Sequence, residues 1–532
     1  MKIVVVSNLY PPDVLGGYEL GCRQAVEGLR AAGHDVTVLT GNPRSAKPSE
    51  PGLHRSLKLT DIYDSYLFRI LPEHVKAIRS FEGYGFSSFN VHVFTQYLEE
   101  NRPDIVYFWN LTGLGGVGLI AAAQQMGLPW AMHVMDMIPQ MLCGLGQLRP
   151  ADPAIGRAFA KGCNGRFLCC SETVLREMEW CALPVRPYSR VLPNWVTTEG
   201  TLDRNDYKPD GKLRIMSAGR YCDYKGTDLL IEAAAMLRDR GHTRFVMDLY
   251  GFGDTSMYQT KILERGLTEH VRLMGSRSQD DLDRLYPQYD VFAFPTWARE
   301  PFGFAPLEAA AHGCVPVVSR ECGFSEFVRD GYHCIKVDRT CKALANAFED
   351  AITGKVDIAK IGRTAARSVI EEFHLRALLP RIVSELEDTI RCHRPVTVRS
   401  AAQAYHTAML TEKILLALIQ TQKLDGAGIN YPAAEVEYNF FDHLGRAGKA
   451  NIVLGPVRRA MRKLMIPMYQ RLRDLLLYLD YMVSDHHNRI GNLEVAVAQQ
   501  KRLIESLTME HISTQHLVTS RVAERKSLSR AA

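Results

Sequence analysis

Short apolar runs alternate with longer stretches of helical periodicity through the first 390 or so residues. The runs are rich in β-branched residues and too short for helices, so they predict buried strands of a parallel sheet. They comprise KIVVVS (2–7), DVTVLT (35–40), DIVYFW (104–109), PWAMHV (129–134) and RFLCCS (166–171). Helical stretches such as YELGCRQAVEGLRAAG (18–33) lie between them, and this alternation predicts a doubly wound α/β domain.

The alternation stops between about residues 193 and 213, where the chain is polar, rich in turn residues and without period. It then restarts with LRIMSAG (213–219), FVMDLYG (245–251), VRLMGS (271–276), DVFAFP (290–295) and VPVVS (315–319). We therefore expect two α/β domains, over residues 1–195 and 196–375. Ligands of such sheets bind at the carboxyl ends of the strands, so the two domains predict a cleft between them.

The strongest candidate chemistry lies in EPFGFAPLE, which runs from Glu300 to Glu308 between a predicted strand and a short helical run. Glu308 falls in the first turn of that helix, where backbone N–H groups attract phosphate. A carboxylate there can accept hydrogen bonds from ribose hydroxyls. Glu300, in the preceding loop, would reach a sugar beyond the phosphates.

Two more segments supply candidate contacts to an anion. In SAGRYCDYKG (217–226), Arg220 and Lys225 lie between a strand and a helix, where two cations can neutralise charge that develops on a diphosphate. In PPDVLGGYE (11–19), Gly16 and Gly17 precede a helix and allow close approach of the backbone to an anion.

Together these motifs resemble the large family of retaining GT-B glycosyltransferases with a paired-glutamate motif, the glycosyl transferases of group 1, over about residues 1–390. Mannosyl- and glucosyltransferases of cell-surface polysaccharide synthesis belong to that family. The resemblance implies an α/β, GT-B architecture in which two Rossmann-like domains face a cleft. Residues 1–195 would bind the acceptor and 196–375 the nucleotide sugar, and a helix over 376–395 would cross back onto the first domain.

The resemblance also implies roles for individual residues. Donor binding would involve Gly16, Gly17, Arg220, Lys225, Glu300, Phe302, Gly303, Phe304, Leu307 and Glu308. Arg220 and Lys225 would stabilise the leaving phosphate of a UDP- or GDP-sugar, and Glu300 would hold its sugar. No metal and no other cofactor is expected, because the two cations would take the place of a divalent ion.

The acceptor side departs from the family pattern. The family often carries His-Asp after the strand near residue 130, whereas this chain has Met135 and Asp136 there. His133 lies two residues earlier, so either it reaches the cleft as the catalytic histidine or that role is absent. Asp136 and Asn110 are the further candidates for the acceptor side.

The sequence thus predicts a retaining hexosyltransferase that moves a sugar from a nucleotide sugar to a glycan or lipid-linked acceptor in cell-surface polysaccharide synthesis. Two alternatives stay open. A GT-B sugar-nucleotide epimerase would need its carboxylates and histidines placed differently. A non-catalytic GT-B scaffold is favoured by Met135 and opposed by the intact Arg220, Lys225, Glu300 and Glu308.

Charge distinguishes the C-terminal tail, residues 396–532, from the rest of the chain. The tail is expected to be helical and holds 18 Lys and Arg against 12 Asp and Glu, so it carries +6 where the whole chain carries a formal +5. Segment 443–473 has eight basic residues interleaved with apolar ones and no acidic residue, as in helices that lie on anionic membranes. Packing on the body or on a partner is the alternative, and no motif indicates nucleic-acid binding.

Two further patterns bear on assembly and location. Segment 490–511 contains a short heptad seam, Ile490, Leu493, Val497, Gln500, Ile504 and Leu507, which is typical of a coiled coil and suggests a homo-oligomer. The 12 cysteines show no disulfide or zinc spacing, and the N-terminus leads directly into a strand without a signal-peptide pattern. We therefore expect a cytoplasmic protein, peripheral on the inner face of the membrane if the tail binds lipid.

Overall fold

A computed structural model of the chain describes residues 1–41, 50–60, 79–143, 165–180, 183 and 185–394. Two parallel sheets, one after the other along the chain, organise this part of the molecule. Both belong to one compact unit, Met1–Lys423. The basic segment 443–473 and the heptad seam 490–511 lie outside the described residues.

The first sheet has seven strands in the order β3-β2-β1-β4-β5-β6-β7. These strands are β1 (Lys2–Ser7), β2 (Asp35–Gly41), β3 (Leu53–Leu57), β4 (Ile105–Phe108), β5 (Trp130–Val134), β6 (Arg166–Cys169) and β7 (Ser189–Val191). The second sheet has six strands in the order β10-β9-β8-β11-β12-β13. These are β8 (Leu213–Ala218), β9 (Phe245–Tyr250), β10 (Val271–Gly275), β11 (Val291–Phe294), β12 (Val315–Ser319) and β13 (Ile335–Val337).

Helices connect the strands of both sheets. The described helices are α1 (Gly17–Ala31), α2 (Ser88–Asn101), α3 (Gly116–Gln125), α4 (Ile138–Cys143), α5 (Glu172–Trp180), α6 (Thr227–Asp239), α7 (Ser256–Glu264), α8 (Gln279–Leu285), α9 (Ala305–Ala311), α10 (Cys341–Thr353), α11 (Ile358–Ser368) and α12 (Leu375–Cys392). All the pairings within the two sheets are parallel, in both sheets the first strand lies in the interior, and the strand order reverses beside it. The predicted fold, two Rossmann-like doubly wound domains, is confirmed.

Burial explains why these segments form strands and helices. Ile3 to Val6 in β1 are fully buried on both faces, as a central parallel strand requires. In α1, buried Cys22, Ala25, Val26 and Leu29 recur at intervals of three and four residues. The apolar face of this helix therefore packs on the sheet and leaves its polar face in solvent.

The chain crosses between the two sheets twice, and the two crossings are hydrogen-bonded to each other. The Val196 N–H donates to the Phe373 carbonyl at 3.0 Å, and the Leu375 N–H donates to the Val196 carbonyl at 2.8 Å. From this point α12 runs back over the first sheet and packs against α1 and β5. The second domain is thus joined to the first where these two crossings meet.

Candidate active site

Two loops at the carboxyl ends of β8 and β11 form the floor of the candidate site. The Tyr224 carbonyl accepts a hydrogen bond from the Trp297 N–H at 2.9 Å. Gly226 has a φ of 78°, and a Cβ atom there would lie 2.4 Å from the Pro295 carbonyl oxygen. Only glycine fits this close approach, so the loop around Lys225 is held directly against the loop that leads to Glu300.

Lys225 and Glu300 meet at this junction. The Lys225 Nζ lies 2.5 Å from Oε2 of Glu300, and the Thr296 hydroxyl donates to the same oxygen at 2.8 Å. Glu300 is only 7% exposed. The charge-assisted contacts fix both side chains in one orientation, so a ligand on Lys225 and one on Glu300 would be neighbours.

Arg220 lies at the more open end of the same loop. It is exposed, its Nη1 donates to the Tyr224 hydroxyl at 2.9 Å, and its guanidinium stands 5.4 Å from the centroid of the Phe252 ring. Its guanidinium is therefore oriented by two aromatic neighbours.

The second glutamate of the motif is half-buried in the short helix that follows the loop. Glu308 lies in α9, and its Oε2 accepts a hydrogen bond from the Tyr286 hydroxyl at 3.1 Å. The pKa of Glu308 is raised from 4.5 to about 7, mainly by burial; hydrogen bonds with Gln279 and Tyr286 oppose the rise, and the charge of Asp283 adds to it. The side chain therefore changes its charge near neutral pH.

The first domain reaches this site through the beginning of α1. A Cβ atom at Gly17 would lie 2.7 Å from the ring of Phe304, whereas one at Gly16 would meet nothing within 4 Å. Gly303 has a φ of 95° and packs against Phe294. The two motifs predicted to bind the donor thus contact each other across the cleft through Gly17 and Phe304.

Asp136 also faces the site from the first domain. Although part of its surface is open to the cleft, surrounding protein atoms raise the pKa of its carboxyl; Glu300 raises it as well, and Lys225 lowers it. The charges of Glu300 and Lys225 therefore act on Asp136 from the other domain. Of the residues suggested for the acceptor side, this one lies close to the Lys225–Glu300 pair.

His133 is placed differently from the catalytic role suggested for it. It is fully buried, its ring is stacked on Trp109 at 4.4 Å, and its Nδ1 lies 2.7 Å from the Tyr107 hydroxyl. Burial lowers the pKa of His133 to about 3, so the ring stays neutral. This position does not support the catalytic role suggested for His133: the residue lies one place before the end of β5, but its ring is enclosed by the aromatic side chains of the core.

Three other suggested residues have side chains away from the cleft. Phe302 is 1% exposed and packs on Phe324 and Phe327, and Leu307 is fully buried. Asn110 is buried, and its Oδ1 accepts from the N–H and hydroxyl of Thr112. Phe302 and Leu307 could contribute to the site through their backbone only, and Asn110 shapes a turn.

Several contacts at the site were not expected from the sequence. Glu19 is buried and accepts hydrogen bonds from the Leu15 and Gly16 N–H groups at 3.1 and 2.9 Å, which fixes the turn before α1. Glu326 binds the beginning of α5 in the first domain, where it accepts from the Glu172 N–H at 2.7 Å and the Thr173 hydroxyl at 2.6 Å. A carboxylate three residues after a turn is the sequence signal for Glu19. Glu326 matches the glutamate of a loop in the family that the sequence resembles, but nothing in the sequence indicates its contact with α5.

The described residues contain neither a candidate metal site nor a membrane-spanning helix. In the parts of the chain that the structure describes, no group of three or more His, Cys, Asp or Glu side chains could hold a metal ion. No helix within those same parts is long and apolar enough to cross a membrane.

Comparison with known proteins places this geometry in a family. The model of a glycosyl transferase 4-like domain matches residues 16–195, and the model of glycosyl transferases group 1 matches residues 201–368. Together the matches cover well over half of the chain.

Individual relatives are distant. The D-inositol 3-phosphate glycosyltransferase of Pseudarthrobacter chlorophenolicus is 23% identical over 66% of this chain and 85% of its own. The amylovoran biosynthesis glycosyltransferase AmsK of Erwinia amylovora is 26% identical over 33% of this chain, a match that spans 44% of the relative. The structure of Anabaena HepE in complex with UDP-glucose superposes with a TM-score of 0.52 and 17% identity over 73% of this chain and all of that one. With its two matched domains and its two facing sheets, the chain belongs to the group 1 family of glycosyl transferases and has the GT-B fold.

Proposed function

We propose that the chain transfers a hexose from a nucleotide sugar to a glycan or lipid-linked acceptor, with retention of the anomeric configuration. The observation that carries this proposal is the contact between Lys225 and Glu300 at 2.5 Å. In a nucleotide sugar, the diphosphate and the sugar are joined by one bond. A cation for the phosphate and a carboxylate for the sugar hydroxyls must therefore be adjacent, as these two side chains are.

The remaining donor contacts follow from the same arrangement. Arg220 would share the diphosphate charge with Lys225, and Glu308 would accept hydrogen bonds from the ribose. Preorganised cations at the point where charge develops are among the strongest contributors to catalysis. That HepE, a protein of the same fold, was solved with UDP-glucose supports a UDP-sugar as donor; a GDP-sugar is the other candidate.

For the reaction itself we propose a front-face displacement. The acceptor hydroxyl attacks the anomeric carbon from the side on which the diphosphate leaves, the bond between that carbon and the phosphate oxygen breaks, and the acceptor proton passes to the departing phosphate. Lys225 and Arg220 stabilise the leaving group. Oε2 of Glu300 already accepts hydrogen bonds from Lys225 and Thr296, which favours sugar binding over a role as covalent nucleophile.

Two measurements on the purified full-length protein test the proposal. UDP- and GDP-sugars are screened by thermal shift, because a ligand of the folded state raises the melting temperature, and the best donor is then assayed for turnover. Lys225→Ala should lower turnover by about 10²–10³-fold, as loss of one electrostatic stabiliser does. The exposed Lys212 and Glu264 supply matched controls, Lys212→Ala and Glu264→Gln, which should keep full activity.

The alternatives give different results in this assay. A non-catalytic scaffold would neither turn over a nucleotide sugar nor respond to Glu300→Gln. An epimerase would convert the free nucleotide sugar without an acceptor. Retention is read from the anomeric coupling constant of the product, and an inverted product would contradict the displacement proposed above.

We further propose that the basic segment 443–473 brings the enzyme to an anionic membrane surface for polysaccharide synthesis. Its eight basic residues would bind anionic lipid at about 1 kcal/mol each near the surface. Full-length protein should co-sediment with vesicles that contain phosphatidylglycerol, and far less with pure phosphatidylcholine. Replacing the eight residues by Gln should abolish the difference; undiminished binding would exclude this anchor. Association through segment 490–511 is tested on the same protein by light scattering.

A further inference from the structure

Aromatic rings and two arginine side chains form a continuous row of contacts next to the Lys225–Glu300 pair. In spatial order the row consists of Phe252, Arg220, Tyr224, Trp297, Arg299 and Trp180. The Tyr224 and Trp297 rings are 5.3 Å apart between centroids. The row begins at the turn after β9 in the second domain and ends on α5 of the first, so it passes the Lys225–Glu300 pair and continues beyond it.

Arg299 joins the two domains within this row. Its guanidinium lies 5.4 Å from the Trp297 ring and 6.0 Å from the Trp180 ring, so it stands between two indoles. Glu177 on α5 holds it in place by accepting from Nε at 3.1 Å and lying 3.0 Å from Nη2. Because Glu177 fixes the guanidinium of Arg299, that guanidinium helps to position the two indole rings beside it.

The indoles themselves are open to solvent. Trp180 is 77% exposed and Trp297 is 36% exposed, although tryptophan is on average among the well-buried residues. Exposed aromatic surface rimmed by polar groups marks a place where a ligand binds. Trp297 is also three residues from Glu300, so a ligand on this surface would extend from the reaction centre.

We infer that Trp297, Arg299 and Trp180 bind the sugar rings of an oligosaccharide acceptor, beyond the ring that receives the donor sugar. The inference rests on the proposed function and adds the chemical class of the acceptor. A sugar ring has an apolar C–H face, which packs on the electron-rich face of an indole, and hydroxyl edges, which hydrogen-bond to a guanidinium. An alkyl chain would pack on the rings and make no hydrogen bond to the guanidinium.

The charges favour a neutral saccharide over an anionic one. Arg299 already pairs with Glu177, whose side chain is only 14% exposed. A phosphate or uronate on the row would lie close to the carboxylate of Glu177, which would repel it. Neutral hexose units meet no such repulsion.

The experiment measures acceptor binding and donor binding separately. Full-length protein with bound UDP is applied to an array of neutral and anionic oligosaccharides of two to four rings. Trp180→Ala and Trp297→Ala should each weaken retention on the best neutral saccharide by at least tenfold, and Trp180→Phe should restore most of it. Phe89 on α2 is 52% exposed, between the values for the two tryptophans, and Phe89→Ala should bind like the wild type.

The outcomes separate this inference from the proposed function. Retention of anionic saccharides alone, no retention of any neutral saccharide, or unchanged retention by both alanine variants would overturn the inference. In each case the UDP-induced rise in melting temperature would still stand as evidence on donor binding. Absence of that rise in the wild type would instead count against the proposed function.

Discussion

The ring of Phe304 occupies the space that a side chain at position 17 would need. A Cβ atom on Gly17 would lie 2.7 Å from Cδ2 and 2.8 Å from Cε2 of that ring. Phe304 belongs to the donor-binding motif of the second domain and Gly17 opens α1 of the first. The glycine is therefore required by a contact between domains, in addition to any contact with an anion.

Gly17→Ala should consequently separate the two motifs. The methyl group would force the Phe304 ring aside, and overpacking of this kind costs about 1–3 kcal/mol. If that cost falls on the catalytic arrangement, turnover should drop by roughly 10–100-fold, since 1.4 kcal/mol corresponds to a factor of ten. The check is steady-state turnover of the donor.

The neighbouring glycine gives the matched control. Gly16 has an extended φ of −176° and nothing within 4 Å of its Cβ direction, so Gly16→Ala adds no clash with protein atoms. Any loss of activity it causes measures the predicted approach of the donor and should be smaller than the loss in Gly17→Ala. Recovery of activity in the double variant Gly17→Ala, Phe304→Leu would confirm the steric cause. Equal effects of the two alanine variants would contradict it.

The sequence predicted the two sheets because central parallel strands are continuous apolar runs. It missed β3, Leu53–Leu57, in which exposed and buried residues alternate at the edge of the sheet. It also missed the three-residue strands β7 and β13, which are too short to carry a pattern. These segments form strands because they pair with a neighbouring strand, and that pairing depends on the fold rather than on the local sequence.

At the candidate site, too, some residues could be predicted from the sequence and others could not. Glu300, Lys225 and Phe304 could be found because motif and strand order place them at the cleft. The burial of His133 could not be predicted, since alternation along β5 gives its face and not its depth. The contact of Glu326 with α5 is between residues about 150 positions apart, and no local pattern predicts it.

Glu308 should make donor binding depend on pH near neutrality. Burial raises the pKa of Glu308 to about 7, and only the ionised carboxylate can accept hydrogen bonds from both ribose hydroxyls. UDP affinity should thus weaken as pH falls from 8 to 6, by at most about tenfold per pH unit below the pKa. Isothermal titration at several pH values measures this, and Glu308→Gln should remove the dependence. A flat wild-type profile would contradict the ribose role.

The raised pKa of Glu308 should also make the stability of the folded protein depend on pH. In the folded state the pKa of Glu308 is raised from 4.5 to about 7, so the unfolded state releases the proton first as pH rises. The contribution of this group to stability is full below pH 4.5 and is lost as pH rises to about 7. The melting temperature of Glu308→Gln should therefore gain on that of the wild type between these two pH values. A constant difference across the window would argue against the shift.

Glu326 should stabilise the contact between the two domains. Its carboxylate caps the beginning of α5 through the Glu172 N–H and the Thr173 hydroxyl, and loss of a cap costs roughly 0.5–2 kcal/mol. Glu326→Ala should lower the melting temperature and speed hydrogen exchange at the start of α5. Glu264→Gln, on exposed α7, is the control. Unchanged exchange at α5 would show that the contact does not hold the domains together.

The final prediction concerns the metal, which the two cations are proposed to replace. If Arg220 and Lys225 neutralise the leaving diphosphate, turnover should be the same with excess EDTA as with Mg²⁺ or Mn²⁺. Removal of the Lys225 charge should then be the damaging change: Lys225→Met keeps the aliphatic part of the side chain near Phe294 and should still lose about 10²–10³-fold in turnover. Lys225→Arg keeps the positive charge but changes the contact with Glu300, because its charged group is longer and planar. Its turnover therefore shows whether charge alone is sufficient. Activity that disappears with EDTA and returns with Mg²⁺ would show that the protein cations are insufficient and that a divalent ion takes part.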